Sequence, residues 1–322
     1  MWTYAKPAAG ANFAGMESPS DLERFFGYAR DFELAYLTDD WNRIRPWFAE
    51  SAVHGVENGG ALGSGASGAT AVVDDLRDSV RRVDRRFDVR IPEIIDGPRT
   101  RPDGVFMRWT LTLRREGVPD LLLAGDHLTV YANGKIAAIH EQLAPETPQR
   151  VASYLAEHGA KLRPAGSPFA PPRAARDLDA LAAASARTLV RVYGCAKSEA
   201  DVGAALAVCS DGFVLDAVTL GVSARGRAEC AATLRQFFRA FPDYSVQLEG
   251  FANGPGTVAA WGRARMTLQG SWLGFAPTGK TAELPVFCVF GVANGALASE
   301  RFFLDRATLF EQLGLPLGSS GR

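Results

Sequence analysis

Residues 121–143, LLLAGDHLTVYANGKIAAIHEQL, contain the pattern that decides the fold. Two β-prone runs flank Asn133-Gly134, and this dipeptide is the strongest short-range signal for a two-residue hairpin turn. The turn sets the register of the strands, because Ala132 and Lys135 must then face each other. The segment therefore predicts two antiparallel strands joined by a tight turn.

The predicted register places ionisable side chains opposite each other. Counting outward from the turn pairs His127 with His140 and Asp126 with Glu141. Because side chains alternate between the two faces of a strand, the carboxylate pair and the histidine pair are expected on opposite faces. Two carboxylates on an otherwise apolar face could act as a general acid and base. The alternative is that both acids, near the open ends of their strands, meet solvent, since acids are rarely fully buried.

The composition narrows the class of protein. The chain has 322 residues, 47% of them hydrophobic, which is enough for two globular domains with cores of their own. The net charge of −1 gives no indication of a nucleic-acid partner or of an acidic membrane. No apolar run reaches the length of a membrane span, and the N-terminus lacks the apolar core of a signal peptide, so we expect a cytoplasmic protein.

The cysteines and histidines do not form a metal-binding pattern. The four cysteines all lie in the second half without CxxC spacing, which is typical of small core residues in a reducing compartment. The four histidines all lie in the first half without an HxH or HExxH cluster. The glycine-rich run 57–68 lacks GK[ST] and GxGxxG, so it is not a phosphate loop. We therefore expect neither a metal nor a cofactor.

The same order of predicted elements occurs twice along the chain. Each half begins with amphipathic helices and continues with strands, an Asn-Gly hairpin and a short closing helix. Between the halves, residues 161–176 (KLRPAGSPFAPPRAAR) are rich in proline and form the predicted linker. We therefore predict an α+β protein with domains at 1–160 and 177–322, each with a curved, mostly antiparallel sheet.

Several motifs of the second half occur together in one known family. Residues 186–316 contain, in this order, an FPD turn, the segment GFAPTGK, the Asn-Gly hairpin and the ending DRATLFEQLG. In this order they resemble the SnoaL-like polyketide cyclases of the nuclear-transport-factor-2-like superfamily, and residues 20–158 resemble them more distantly. The resemblance implies a cone-shaped barrel, a sheet wrapped by helices around a pocket for a hydrophobic small molecule. It also implies that such units pair sheet to sheet, so an internal pseudo-dimer or a homodimer is possible.

The superfamily includes aldol cyclases, isomerases, dehydratases, limonene-type epoxide hydrolases and non-catalytic binding modules, so the fold does not decide the function. The resemblance to the epoxide hydrolases places His54 where a tyrosine holds the attacking water. It also places Arg108 at the arginine of their R-x-D motif and Glu141 at their last-strand aspartate. Thr110 replaces the aspartate of R-x-D, so their acid–base pair is incomplete unless Asp126 compensates.

The second half has fewer candidates for chemistry. Counting from its own Asn-Gly turn pairs Phe287 with Phe302 and Cys288 with Arg301, so two phenylalanines correspond to the carboxylate pair of the first half. An aromatic pair cannot transfer protons, which favours the first half as the active one. Asp305 matches an aspartate that SnoaL-like cyclases often carry before the closing helix, but it is also well placed as an N-cap.

The leading functional hypothesis is cofactor-free acid–base catalysis on a hydrophobic, polyketide-like carbonyl compound, by aldol-type cyclisation or isomerisation. Glu141 and Asp126 would move a proton, and His54 and Arg108 would stabilise the developing enolate oxygen. The alternatives are a limonene-type epoxide hydrolase and a non-catalytic protein that binds a small molecule or acts as a scaffold.

Overall fold

The structure, a computed structural model, describes residues 19–63 and 65–316. These residues divide into two compact units, which we call unit 1 (Asp21–Thr188) and unit 2 (from Leu189 onward). The predicted linker has no helix or strand from 162 to 174, and the division between the units lies farther along the chain, inside the helix that follows. None of the helices in the described part of the chain is long and apolar enough to cross a membrane.

Unit 1 is built on one six-stranded sheet. Its main elements in chain order are α1 (Asp21–Thr38), β1 (Phe48–Glu57), β2 (Ala66–Ser67), α2 (Ala69–Arg82), β3 (Val89–Arg101), β4 (Gly104–Arg114), β5 (Leu121–Ala132), β6 (Lys135–Leu143) and α3 (Thr147–His158). The strand order is β2-β1-β6-β5-β4-β3. Neighbouring strands are antiparallel except β1 and β6, which are parallel.

Unit 2 repeats this plan. Helix α4 (Ala175–Ser198) begins in unit 1 and continues into unit 2. It is followed by α5 (Val202–Ala207), β7 (Cys209–Ala217), β8 (Val222–Arg225), α6 (Gly226–Ala240), β9 (Ser245–Gly254), β10 (Thr257–Thr267), β11 (Thr281–Ala293), β12 (Ala296–Leu304) and α7 (Arg306–Leu313). The strand order is β8-β7-β12-β11-β10-β9, and the parallel pair is β7 with β12.

The prediction of two tandem α+β units is confirmed, with one correction to their form. Each sheet is open rather than a closed barrel, because within the described residues the two edge strands of a sheet do not pair with each other. Each sheet is also mixed, since its first long strand lies parallel to its last one. Parallel strands cannot be joined by a tight turn, and the long connection through helices and other strands supplies the necessary crossover.

One face of the unit 1 sheet, which we call the inner face, packs against the helices. On β5 every second residue from Leu121 to Thr129 is buried, and the residues between them are more exposed. The inner-face residues Leu121 and Leu123 share a core cluster with Val151 of α3. Because the pleat alternates strictly, the same pattern also turns His127 inward.

Candidate active site

The hairpin of unit 1 contains a bulge that changes the predicted register. The two residue pairs next to the turn are as predicted, but the register shifts by one residue just beyond them. As a result, His127 lies opposite Glu141, and Asp126 lies opposite Gln142. The predicted pairing of Asp126 with Glu141, and of the two histidines with each other, is therefore wrong.

Burial of apolar side chains explains the shift. Ile136 and Ile139 on β6 are both fully buried, and strict alternation cannot turn residues three positions apart toward the same face. Ala137 is the additional residue of the bulge, and it allows Ile139 to face inward again. The same shift places Glu141 on the inner face and leaves Asp126 on the outer face.

Glu141 is held between side chains from two neighbouring strands. Its Oε1 lies 2.6 Å from Nδ1 of His127, and its Oε2 accepts a hydrogen bond of 3.1 Å from Nε1 of Trp109. On the other side of the imidazole, Nε2 of His127 lies 2.6 Å from Oγ1 of Thr129. His127 and Thr129 are buried, whereas the side chain of Glu141 is 20% exposed and lines a cavity.

The partners of His127 determine where its protons lie. An ionised carboxylate only accepts hydrogen bonds, so Nδ1 of His127 donates to Glu141. In the neutral ring, Nε2 then accepts a hydrogen bond from the hydroxyl group of Thr129. Because both ring nitrogens are occupied in this way, Glu141 rather than His127 offers a lone pair to a molecule in the cavity.

The cavity lined by Glu141 has a volume of about 220 Å³. Most of its wall is apolar or aromatic, with Phe25, Tyr28 and Phe32 from α1 and Pro92, Ile94, Trp109 and Ile139 from the sheet. Arg90 and Glu33 lie on the same wall, with Nη1 of the arginine 2.8 Å from Oε1 of the glutamate. An apolar wall with a few oriented polar groups is typical of a site for a small organic molecule.

Tyr28 is the tyrosine on the wall of the same cavity. Burial, followed by the negative charge of Glu141, raises the pKa of Tyr28 above its ordinary value of 10.0. The phenol therefore stays protonated throughout the neutral pH range. A neutral phenol in a largely apolar cavity can stabilise a developing oxyanion.

His54 and Asp75 form a second ionisable pair in unit 1. Nδ1 of His54 on β1 lies 2.9 Å from Oδ2 of Asp75 on α2, and the histidine side chain is 3% exposed. Nε2 of His54 is buried and has no hydrogen-bond partner in the described part of the chain. His54 and Glu141 both line a further cavity of about 150 Å³. Because Asp75 accepts the Nδ1 proton, Nε2 is free to accept a proton or, once protonated, to donate one.

Arg108 and Asp126 do not line either of these cavities. They form a bidentate ion pair with N···O distances of 2.7 and 3.0 Å, and the arginine side chain is half exposed. Their chain neighbours Trp109 and His127 face inward, so alternation places the ion pair on the outer face. There it lines an open groove that is also lined by His127 and Glu141. The two candidates thus lie outside the cavity that Glu141 lines with Tyr28, but they share this groove with Glu141.

Asp305 caps helix α7. Its Oδ1 accepts hydrogen bonds of 2.9 and 3.3 Å from the backbone N–H groups of Ala307 and Thr308, and its Oδ2 accepts one of 2.6 Å from the hydroxyl group of Thr308. The hydrogen bonds from Thr308 hold the pKa of this exposed carboxyl group below its ordinary value. The N-cap interpretation therefore accounts for its contacts.

The hairpin of unit 2 has a bulge at the same place as the hairpin of unit 1. Cys288 lies opposite Phe302 and Phe287 lies opposite Phe303, each one residue away from the predicted pairs. Counted from the bulge, His127 and Glu141 of unit 1 correspond to Cys288 and Phe302 of unit 2. This position in unit 2 therefore does not provide an acid–base pair.

Unit 2 nevertheless contains a buried acid that the sequence interpretation missed. Glu300 on β12 is 1% exposed; Oε2 accepts a hydrogen bond of 2.7 Å from Tyr193, and Lys197 lies 3.0 and 3.2 Å from the two oxygens. Both partners lie on α4, one helical turn apart, so they share a face of the helix. Two features of the sequence could have indicated this buried acid. One is the pair of a tyrosine and a lysine at i and i+4, and the other is the three-residue spacing from Leu297 to Glu300.

The family comparison agrees with the motifs of the second half. Residues 187–313, almost all of them in unit 2, match the family model described as SnoaL-like polyketide cyclase. The predicted SnoaL-like character of this half is confirmed. No curated protein matches the chain.

Similar solved structures each cover one part of the chain. TsrD from Streptomyces laurentii is 20% identical, with 41% of this chain and 97% of that chain covered and a TM-score of 0.38. A protein with a ketosteroid isomerase-like fold from Catenulispora acidiphila, solved with trimethylamine, is 12% identical, with 40% and 93% covered and a TM-score of 0.36. An NTF2-like protein of unknown function from Burkholderia pseudomallei is 18% identical, with 40% and 97% covered and a TM-score of 0.35.

Proposed function

We propose that unit 1 catalyses a cofactor-free proton transfer next to the carbonyl group of a largely apolar compound, as an aldol-type cyclisation or an isomerisation requires. The observation that carries the proposal is the setting of Glu141. Its carboxylate is oriented by His127 and Trp109 and lines a mostly apolar cavity. A carboxylate held in this way is suited to act as a general base.

Glu141 acts as the proton acceptor in this proposal. The C–H bond next to the substrate carbonyl breaks, an O–H bond forms on Glu141, and the electron pair moves to the carbonyl oxygen to give an enolate. In an aldol closure, the enolate carbon then attacks a second carbonyl group of the same molecule, and the new alkoxide takes the proton back. In an isomerisation, the proton returns to a different carbon of the substrate.

Tyr28 is the proposed donor to the developing oxyanion, and Nε2 of His54 joins it when the imidazole carries both protons, because Asp75 accepts the proton on Nδ1. Tyr28 lines the cavity with Glu141, and His54 lines the second cavity with Glu141 and has an unpartnered Nε2. Hydrogen bonds to an oxyanion are stronger in an apolar, water-poor site than in bulk water, because the effective dielectric constant is lower. The apolar wall therefore serves both substrate binding and charge stabilisation.

The epoxide hydrolase alternative is less well supported. It requires an arginine close to the acid–base pair, but the guanidinium group of Arg108 pairs with Asp126 on the outer face. Thr110 lines the cavity without supplying a carboxylate. The remaining alternative, a non-catalytic binding protein, is distinguished from the proposal by the following experiment.

The test is the exchange of α-protons for deuterium in apolar ketones of one to three rings, such as 1-tetralone, followed by NMR in D₂O. We expect the protein to accelerate exchange above the buffer rate. Glu141→Gln should lower the rate about 10²–10⁴-fold, since the amide keeps the size of the side chain but does not act as a base. Asp126→Asn is the matched control and should leave the rate unchanged. Equal rates for the protein and its Glu141→Gln variant on every ketone tested would contradict the proposal.

A further inference from the structure

An ion pair between Arg90 on β3 and Glu33 on α1 lies on the wall of the unit 1 cavity. Both side chains are largely buried, the arginine being 11% and the glutamate 18% exposed. Strand β3 is an edge strand of the sheet, and strands β5 and β4 separate it from β6, which carries Glu141. The sheet thus places the ion pair and the proposed base at different ends of one cavity.

Arg90 is shared between two carboxylates. Its Nη1 lies 2.8 and 3.0 Å from the two oxygens of Glu33, and its Nε donates a hydrogen bond of 2.9 Å to Oδ2 of Asp84. Burial lowers the pKa of Arg90, but the two carboxylates raise it further, and the net effect is a rise. Arg90 therefore stays charged, and the three side chains together carry one negative charge when both acids are ionised.

The guanidinium group of Arg90 has donors that neither carboxylate uses. Within the described residues its hydrogen bonds start from Nε and Nη1, whereas Nη2, with two N–H bonds, makes none. The ring centres of Tyr36 and Phe32 lie 4.8 and 5.9 Å from the guanidinium carbon. These contacts and the two carboxylates hold the guanidinium group in place, so a ligand that binds it need not order it first.

Glu33 provides an acceptor beside this donor. Its oxygens both face Nη1 of Arg90, and a carboxylate has about four acceptor positions, so lone pairs remain for a ligand. Asp84, the other partner of Arg90, lines the second cavity instead. The wall of the first cavity thus presents a donor and an acceptor side by side. A hydroxyl group matches this arrangement, because it both donates and accepts.

We propose that Arg90 and Glu33 determine the substrate specificity of unit 1 by binding a hydroxyl group at the end of the substrate opposite its reacting carbonyl group. Nη2 of Arg90 donates to the hydroxyl oxygen, and Glu33 accepts the hydroxyl proton. The proposal rests on the function proposed for Glu141 and narrows the substrate to hydroxylated, otherwise apolar ketones. A ketone without the hydroxyl group binds less well because it leaves these buried polar groups unpaired. A carboxylate in its place would be repelled by the net negative charge of the cluster.

The test compares two ketones that differ in one oxygen. They are 1-tetralone and 6-hydroxy-1-tetralone, in which the hydroxyl group lies at the far end of the ring system from the carbonyl group. Their Kd values would be measured in H₂O at a pH of about 6, where the phenol is protonated and proton exchange leaves both ketones unchanged. The ¹³C-methyl signal of Met107, which lines this cavity, reports binding and is assigned with Met107→Leu.

We expect the hydroxyl compound to bind about tenfold more tightly, as a hydrogen bond to a charged partner implies. Glu33→Leu should reduce this preference and still fold, because it leaves Arg90 paired with Asp84. The triple variant Arg90→Met/Glu33→Leu/Asp84→Asn, which removes all three charges, should abolish it. Asp31→Asn on the same helix is the matched control and should keep it, since Asp31 accepts a hydrogen bond from Trp47. A merely structural role would change the affinity for both ketones alike.

Equal Kd values of the two ketones for the unmodified protein would overturn the proposal. A preference that persists in the triple variant, or one that Asp31→Asn loses as well, would do the same. The function proposed for Glu141 is measured separately, by proton exchange in D₂O. If Glu141→Gln keeps the full exchange rate while the hydroxyl preference follows Arg90 and Glu33, that function fails and the recognition of the hydroxyl group stands.

Discussion

Glu141 on β6 and Glu300 on β12 both face inward from the second strand of their hairpins. When the two hairpins are aligned at their bulges, the two glutamates lie two positions apart. Counted from the bulge that both hairpins share, Glu300 corresponds to Ile139, and Glu141 corresponds to Phe302. The partner of Glu141 is a histidine on the adjacent strand, whereas Glu300 is neutralised by a lysine from α4. The same architecture thus holds a carboxylate suited to proton transfer in unit 1 and an ion pair in unit 2.

Tyr28→Phe should lower the α-proton exchange rate about 10²–10³-fold, the usual cost of one oxyanion donor. Phenylalanine keeps the ring, which packs edge-on against Phe48 at 5.6 Å between centres, so the fold should persist. Because burial raises the pKa of Tyr28, its phenol stays protonated up to at least its ordinary value of 10.0. The ratio of the rate of the unmodified protein to the rate of Tyr28→Phe should therefore be constant from about pH 6 to about pH 10. A ratio that falls within this range would mean that Tyr28 ionises early and is not the proposed donor.

Asp75→Asn should lower the maximal rate of exchange by up to about 10²-fold and change KM little, because the carboxylate orients the ring of His54. Asp78→Asn on the same helix is the matched control, since Asp78 is half exposed and pairs with Arg77. Its rate should equal that of the unmodified protein. If the two variants behave alike, Asp75 does not position His54 for the reaction.

Lys197→Met should destabilise the protein by about 3–5 kcal/mol, because it leaves the buried carboxylate of Glu300 without a counter-ion. Lys197→Met/Glu300→Leu should be close to the unmodified protein in its free energy of unfolding, since removing both charges leaves no buried ion unpaired. Urea unfolding of the three proteins, each checked by circular dichroism, measures both effects. A double variant as unstable as the single one would contradict this account of the pair.

The Lys197–Glu300 pair also predicts the direction of a pH effect. The pKa of Lys197 is raised in the folded protein from the ordinary value of 10.5, so the folded state binds this proton more tightly than the unfolded state. Its stabilisation is fully present below 10.5 and is lost as the pH rises through the higher folded value. The stability of the unmodified protein should therefore fall relative to that of the double variant above about pH 10.5. A constant difference across this range would contradict the assignment.

Asp305→Asn should retain both the stability and the exchange rate, because asparagine caps a helix about as well as aspartate. Asp305→Ala should lower the urea midpoint by removing the acceptor for the N–H groups of Ala307 and Thr308, and it should leave the rate unchanged. Comparing the two variants separates the cap from any chemical role. Loss of exchange in Asp305→Asn alone would show that this carboxylate takes part in the reaction.

The fold was largely predictable from the sequence, because its signals are local. Residues close together in sequence determine the Asn-Gly turns, the alternating strands and the repeated order of elements. Both hairpins turn at their Asn-Gly dipeptides, as predicted. Whether each sheet closes, and which of its strands are parallel, depends on pairing between strands that are distant in sequence. Sequence periodicity does not specify such long-range pairing.

The candidate site was only partly predictable. Glu141 and His54 were singled out from the sequence, and the structure places both beside one cavity. The prediction that Asp126 and Glu141 share a face is wrong because the bulge on β6 moves Glu141 to the opposite face, although the three-residue spacing of Ile136 and Ile139 indicated it. Tyr28 and Asp75 lie on helices distant in sequence from the hairpin, and only the packing of helix on sheet brings them to the site.

The central claim is that the reaction takes place in unit 1 at Glu141, and one comparison tests it most directly. The α-proton exchange rate would be measured for Glu141→Gln and for Lys197→Met/Glu300→Leu, which changes the buried acid of unit 2, with circular dichroism to establish that both fold. Glu141→Gln should lose about 10²–10⁴-fold in rate, while the double variant should keep the rate of the unmodified protein. A Glu141→Gln variant that remains active while the double variant is inactive would contradict the central claim and place the chemistry in unit 2.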